Sequence, residues 1–174
     1  MTILQKQCLL YFLGHYRGPL DGLWGSESQR AAEVFCRQEK IAPEAMEKAL
    51  QAAVARWQED VWSDVRYFTP QEFACKCGRF CDGHPAKVDR RLLQAADRVR
   101  EKLGAACIVS SGLRCKQHNA AVGGVANSRH LTGKAMDFCA AGKTADEVLA
   151  VVRQQKDVRY AYAIDSRYVH MDVE

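Results

Sequence analysis

Long apolar runs are missing from this sequence. No stretch of its 174 residues approaches the roughly 20 apolar positions that cross a bilayer, which argues against a membrane-spanning helix. Charge of one sign is also scarce: 25 Lys and Arg against 21 Asp and Glu leave +4, too little to point to a nucleic-acid partner. There is no internal repeat and no low-complexity tract, which sets aside solenoids and disordered arrays. No Gly-, Ser- or Pro-rich linker marks a domain border, and proline occurs only four times. What remains is 48% hydrophobic and 26% charged, ordinary for a soluble globular protein. The length suits one domain, or one domain with a small module.

What is present concentrates in two stretches. Ser128-Arg129-His130-Leu131-Thr132-Gly133-Lys134-Ala135-Met136-Asp137 is answered near the C-terminus by Tyr168-Val169-His170-Met171-Asp172. His130, Asp137 and His170 offer two imidazoles and one carboxylate, a ligand set for a single zinc ion. Three protein ligands leave the fourth position open, as catalysis needs. Residues 135–138 and 168–172 each alternate like a strand with one site-facing side. Asp137 can then point off one strand while His170 and Asp172 point off the same face of another. Thr132-Gly133 is a turn that doubles the chain back and sets His130 opposite Asp137. A His-x-Asp pair alone is weak evidence; the joint pattern carries the reading.

The pattern Ser-x-His-x-x-Gly-x-Ala-x-Asp with an aromatic-x-His-x-Asp tail resembles the zinc D-Ala-D-Ala carboxypeptidase and phage L,D-endopeptidase family of peptidoglycan peptidases. Ser110-Ser111-Gly112-Leu113-Arg114 and His118-Asn119 resemble that family's Ser-Gly-Tyr-Arg and His-Asn segments, in the same order. Leu113 stands where an aromatic is usual. The resemblance covers residues 68–174, and linked motifs in order are more specific than any one of them. It implies a zinc peptidase acting on the peptide part of the bacterial wall, either as a carboxypeptidase or as a stem-peptide endopeptidase of the phage endolysin kind.

Upstream, Leu4, Leu9, Leu10, Phe12 and Leu13 give a first helix its apolar face, with Gly14 as its end. A turn-rich loop follows, then Ser26 as the expected N-cap of a helix carrying Ala31, Ala32, Val34 and Phe35. Gly18-Pro19-Leu20-Asp21-Gly22-Leu23-Trp24-Gly25 followed by that helix resembles the peptidoglycan-binding module attached to many wall hydrolases. Phe35-Cys36 replaces that module's Phe-Gln. The alternative is a generic helix-loop-helix with a structural Asp-Gly turn. Residues 41–62 read as helical, with Pro43 early and Leu50, Val54, Trp57 and Val61 as a stripe. The expected division is a binding-like module at 1–42, a helical connector at 43–67 and a zinc peptidase domain at 68–174.

In that last part Thr69 is the expected cap of a short helix and Pro70 its first residue. The run Cys75-Lys76-Cys77-Gly78-Arg79-Phe80-Cys81-Asp82-Gly83-His84 places three thiols and an imidazole together. Cys75, Cys77, Cys81 and His84 could hold a second, structural zinc. Reduced thiols packing a loop, or disulfides to Cys107, Cys115 or Cys139, compete with that reading. Residues 88–103 form an amphipathic helix closed by Gly104, and 107–110 a buried strand. Arg114 follows it, and its planar guanidinium suits a carboxylate of the stem peptide; an ordinary surface ion pair is the alternative. The resemblance implies that His118 and Asn119 line the site or support it, without His118 being a ligand. Ser128 is expected to orient His130 or the loop by a hydrogen bond. A helix at 144–155 and strands at 158–164 and 168–173 complete an α+β fold: a small helical N-terminal module, then a mostly antiparallel sheet flanked by helices.

The proton-transfer group is the open point. Many relatives carry Glu three residues before the last His, where this chain has Arg167. Asp172 is the preferred acid/base and Asp165 the reserve; alternatively Asp172 holds a ligand imidazole or completes the metal shell, and Asp165 or His118 then moves the proton. Arg167 also leaves room for a catalytically weak or inactive wall-binding or virion-associated protein with the same fold. The first residues lack a secretory h-region, since Ile3-Leu4 runs into Gln5-Lys6-Gln7. The expectation is therefore a monomer made in the cytoplasm and released to the wall by a phage-type or other non-classical route.

Overall fold

Thr2 and Gln5 cap the first helix reciprocally, side chain to backbone in both directions, and start α1 (Ile3–Phe12). In this computed structural model, which describes residues 1–78, 81 and 87–174, α1 packs on α2 (Ser26–Glu39) and α3 (Met46–Trp62). Leu9, Leu10 and Phe12 meet Ala31, Ala32 and Phe35, and Met46, Leu50, Ala53 and Val54 close the same core. The cap of α2 is Gly25 rather than Ser26. Gly25 takes the extended conformation that an N-cap needs, and Ser26 is already helical. Pro43 opens a 3-10 turn, Pro43–Ala45, that leads into α3.

The expected connector at 43–67 is therefore divided between two cores. The first half of α3 is the third wall of the N-terminal core, while Val61 and Trp62 join the core of the sheet half. Trp57 packs against both. A stripe of Leu50, Val54, Trp57 and Val61 cannot announce that its two ends face different partners.

The turn-rich loop between α1 and α2 is held by a buried amide. Gln7, with no exposed surface, donates through Nε2 to Asp21 Oδ1 at 3.1 Å, Leu23 O at 2.9 Å and Ser28 Oγ at 3.1 Å. Its Oε1 accepts from Gly22 N at 2.9 Å.

The second half begins with the short α4 (Pro70–Phe73), capped by Thr69 and Glu72. Asp89 caps α5 (Arg90–Leu103), which ends at Gly104 in the left-handed region. The strands β1 (Cys107–Ser111), β2 (Ala135–Ala140), β3 (Val158–Ala163) and β4 (Val169–Val173) form one antiparallel sheet in the order β1-β2-β4-β3. Two helices, α6 (Lys116–Ala121) and α7 (Ala145–Val152, capped by Thr144), complete the chain. Strand alternation sorts the side chains. Met136, Phe138, Val169, Met171 and Val173 join the core that α5 and α7 supply, with Leu92, Leu93, Val99, Val148 and Val152. Asp137, His170 and Asp172 occupy the intervening positions. Strand β1 is not buried throughout as expected. It is an edge strand, and Ile108 is 57% exposed between buried Cys107 and Val109. Among the described residues no helix is long and apolar enough to cross a membrane.

Gln7→Ala is expected to cost about 1–3 kcal/mol, because several buried or half-buried partners lose their donor or acceptor at once. Urea unfolding checks this as a lower midpoint at unchanged slope. An unchanged midpoint would mean that the loop holds itself.

Candidate metal centre

Asp137 and His170 face each other as direct cross-strand partners on β2 and β4. His130 comes to them from a 3-10 turn, Arg129–Thr132. His170 Nδ1 lies 2.8 Å from Asp137 Oδ1, and His130 Nε2 lies 3.2 Å from the same oxygen. One ligand atom from each residue falls within 4.8 Å of the others, and all three residues are buried. The donor set fits a zinc ion: ligands about 2.0–2.1 Å from a tetrahedral centre stand about 3.3 Å apart.

The local charges suit a cation. Burial works against the ionised form of Asp137, yet hydrogen bonds from His130 and His170 outweigh it and hold the carboxyl far below the usual carboxylate range. The two imidazoles thus favour its carboxylate form. Arg114 donates through Nη2 to Asp137 Oδ2 and through Nε to Ser111 Oγ at 2.8 Å. Its backbone N–H donates to His130 O at 3.0 Å, which fixes the 3-10 turn to the strand end.

Each imidazole has a partner on its far side. His130 Nδ1 is 2.7 Å from Gly112 O. A carbonyl only accepts, so Nδ1 carries a proton, and Nε2 is left as the nitrogen that can offer a lone pair to a metal within the trio. The Gly112 carbonyl is held there by α4: Leu113 N donates to Phe73 O at 2.8 Å. A Cβ on Gly112 would meet Phe73 Cα and O at 2.6 Å, so only glycine lets the two backbones approach. Gly133 follows His-Leu-Thr with φ +67°, and a Cβ there would lie 1.8 Å from Lys87 O. The turn expected at Thr132-Gly133 is thus a close backbone crossing as well.

His170 Nε2 is 3.4 Å from Asp172 Oδ2. Asp172 is buried, and Arg159 grips both of its oxygens at 2.8 and 2.9 Å. That is the arrangement of a carboxylate that orients a ligand imidazole. Asp165 is elsewhere occupied: its Oδ1 accepts from Arg167 N and Tyr168 N, both at 2.7 Å, and so closes the β3–β4 turn. Those two bonds lower its pKa, the reverse of what a general acid needs at neutral pH.

The remaining expected residues are distributed differently. Asn119 is 3% exposed and donates to Val125 O at 2.9 Å. It closes its own loop from a buried position. Ser128 makes no side-chain hydrogen bond to His130 among the described residues; the Gly112 carbonyl does that work. His118 lies on α6, outside the ligand trio. Arg114 and Ser128 both line a cavity of about 1320 Å³ between the helical half and the sheet half, with Arg17, Lys87, Lys116 and Lys134 in its walls. The cavity reaches the site through Arg114 and does not include the three ligands.

Two partners were missed in the sequence. Tyr162 pairs with His170 across β3 and β4 and stacks on its ring at 4.9 Å. Burial, then the charge of Asp137, pushes its phenol pKa up. Tyr160 and Tyr162 alternate on β3, and that spacing was the available signal. Arg159 had none, because a register irregularity between Val158 and Tyr160 brings it to Asp172.

Asp172→Asn is expected to weaken zinc binding about 10–100-fold, the usual cost of losing a ligand's orienting partner. Competition with a chromophoric chelator measures it. Unchanged affinity together with lost turnover would return Asp172 to the acid/base role.

A family model described as Peptidase M15 matches residues 66–172. No curated protein matches the chain. The matched segment is more than half of the chain and contains His130, Asp137, His170, Arg114 and the whole sheet up to Asp172. The chain belongs to the peptidase M15 family.

Proposed function

We propose that the protein is a zinc-dependent peptidase that hydrolyses the peptide part of bacterial peptidoglycan, as a D-Ala-D-Ala carboxypeptidase or a stem-peptide endopeptidase. The observation that carries this is the convergence of His130 Nε2, His170 Nδ1 and Asp137 Oδ1 within 4.8 Å on one face of the sheet. Zinc bound by these three would polarise the scissile carbonyl and acidify a water in the open fourth position.

The chain's own residues arrange the rest. Gly112 O keeps His130 in the tautomer that presents Nε2. Asp172, fixed by Arg159, orients His170 from behind. Arg114 is half-buried and faces the cavity while holding Asp137. A guanidinium has five N–H donors, so those left over can take the carboxylate of a stem peptide. The same cavity is walled by Arg17, Lys87, Lys116 and Lys134, a field that suits an anionic peptide.

The helical half is proposed to hold the wall. The Asp21-Gly22 turn pinned by Gln7 presents Leu23, 71% exposed, beside Trp24. Leu23→Ser is expected to reduce co-sedimentation with intact walls several-fold while cleavage of a soluble stem peptide is unchanged. Equal sedimentation would reject the binding role of this loop. Removing residues 1–41 is a poor test, because Met46, Leu50 and Val54 of α3 would lose their core.

The deciding experiment is mass spectrometry of peptidoglycan digested by the zinc-loaded protein beside a chelated control and His130→Ala. Terminal D-Ala appearing only in the active sample would make it a carboxypeptidase; split or freed stems would make it an endopeptidase. No product from the zinc-loaded protein would support the wall-binding reading suggested by Arg167, which lies in the β3–β4 turn.

A further inference from the structure

The notable cluster outside the peptidase centre is made of sulfur. Cys75, Cys77 and Cys81 follow α4, and Cys115 comes from the start of α6, 34 residues further along the sequence. One sulfur from each lies within 4.8 Å of the others. Cys77 Sγ and Cys81 Sγ are 3.5 Å apart. Zinc–sulfur bonds of about 2.3 Å in a tetrahedron set the sulfurs about 3.8 Å apart, so these four need only a small adjustment to share an ion. The fourth partner differs from the expected His84, which lies outside the described residues.

Two features distinguish this cluster from thiols that merely fill a loop. Backbone N–H groups point at its sulfurs: Cys115 N donates to Cys75 Sγ and His118 N to Cys115 Sγ, each at 3.3 Å. Such bonds stabilise sulfur carrying negative charge, as a metal ligand does. The burial is also graded. Cys75 and Cys81 are buried, in a small cluster with Cys8, while Cys77 and Cys115 are half-buried against it, so the four sulfurs run from that cluster towards the surface. No disulfide joins cysteines among the described residues.

We propose that Cys75, Cys77, Cys81 and Cys115 form a structural zinc site, separate from the peptidase centre. Four thiolates complete a tetrahedron and leave no open position, which makes the site structural rather than catalytic. The soft donor set selects zinc over magnesium or calcium. Its place gives it work. Cys115 directly follows Arg114, so the ion ties the segment after α4 to the residue that holds Asp137. Cys8 Sγ of α1 donates to Cys81 O at 3.1 Å, which brings the helical half to the same point. The ion would join two segments directly, and the Cys8 bond to Cys81 O ties them to α1 at the seam between the two halves.

The test does not depend on peptidase activity. The full-length double variant His130→Ala/His170→Ala, purified reduced and without chelator, should retain one tightly bound zinc per chain. Zinc-edge X-ray absorption should show only sulfur neighbours, at about 2.3 Å. Adding Cys115→Ser should abolish that zinc. A zinc-free double variant, or a shell dominated by nitrogen and oxygen, would overturn the proposal. Should the Cys115→Ser protein fail to fold, the absorption spectrum of the double variant decides alone. Wild-type protein is expected to hold one equivalent more than the double variant, so a failure of the catalytic assignment shows up separately.

Discussion

A buried carboxylate sets the terms for the sheet half of this molecule. Asp137 sits in the middle of β2, almost without solvent, and remains ionised. Removing such a charge from water costs several kcal/mol unless partners surround it. The partners come from three directions: His170 from β4, His130 from the 3-10 turn, and Arg114 from the segment after β1. Each is separated from Asp137 in sequence or by a strand boundary. The charge can be tolerated only once the sheet, the turn and the loop are all in place, so the ligand trio and the fold specify one another.

The sheet performs the sorting. Period-two alternation sends Met136, Phe138 and Met171 into the core with α5 and α7, and it sends Asp137, His170 and Asp172 to the other face. Irregularities in the two outer pairings then recruit further groups. On one side the register shifts between Val109 and Ser111, where Ser110 Oγ donates to Asp137 O at 3.0 Å. On the other it shifts between Val158 and Tyr160, and Arg159 reaches Asp172. Such local breaks in pairing re-aim side chains at functional sites.

Arg114 is where the parts of the molecule meet. It holds Asp137, its backbone braces the turn of His130, it lines the cavity between the halves, and it precedes Cys115 of the thiol cluster. The halves also share Trp57, and Lys87 Nζ donates to Phe12 O at 3.0 Å. The peptidase centre, the cavity and the cysteines are thus mechanically close although they lie on different segments.

Local sequence by itself determined the helices and singled out the candidate metal ligands. Caps at Thr69, Asp89 and Thr144, the stop at Gly104, and the local patterns around His130–Asp137 and around His170 are each written within a few residues. Their physics is short-ranged: an N–H needs a nearby acceptor, and a strand presents every second side chain. Tertiary structure alone decided the supporting groups. The Gly112 carbonyl behind His130, Arg159 behind Asp172, Cys115 completing the thiols and the division of α3 between two cores all depend on segments distant in the chain. A backbone carbonyl carries no side-chain signature, and a register shift leaves no periodic mark. The same reason explains Asn119 and Ser128, whose residue types suited a site but whose depth and partners were set by packing.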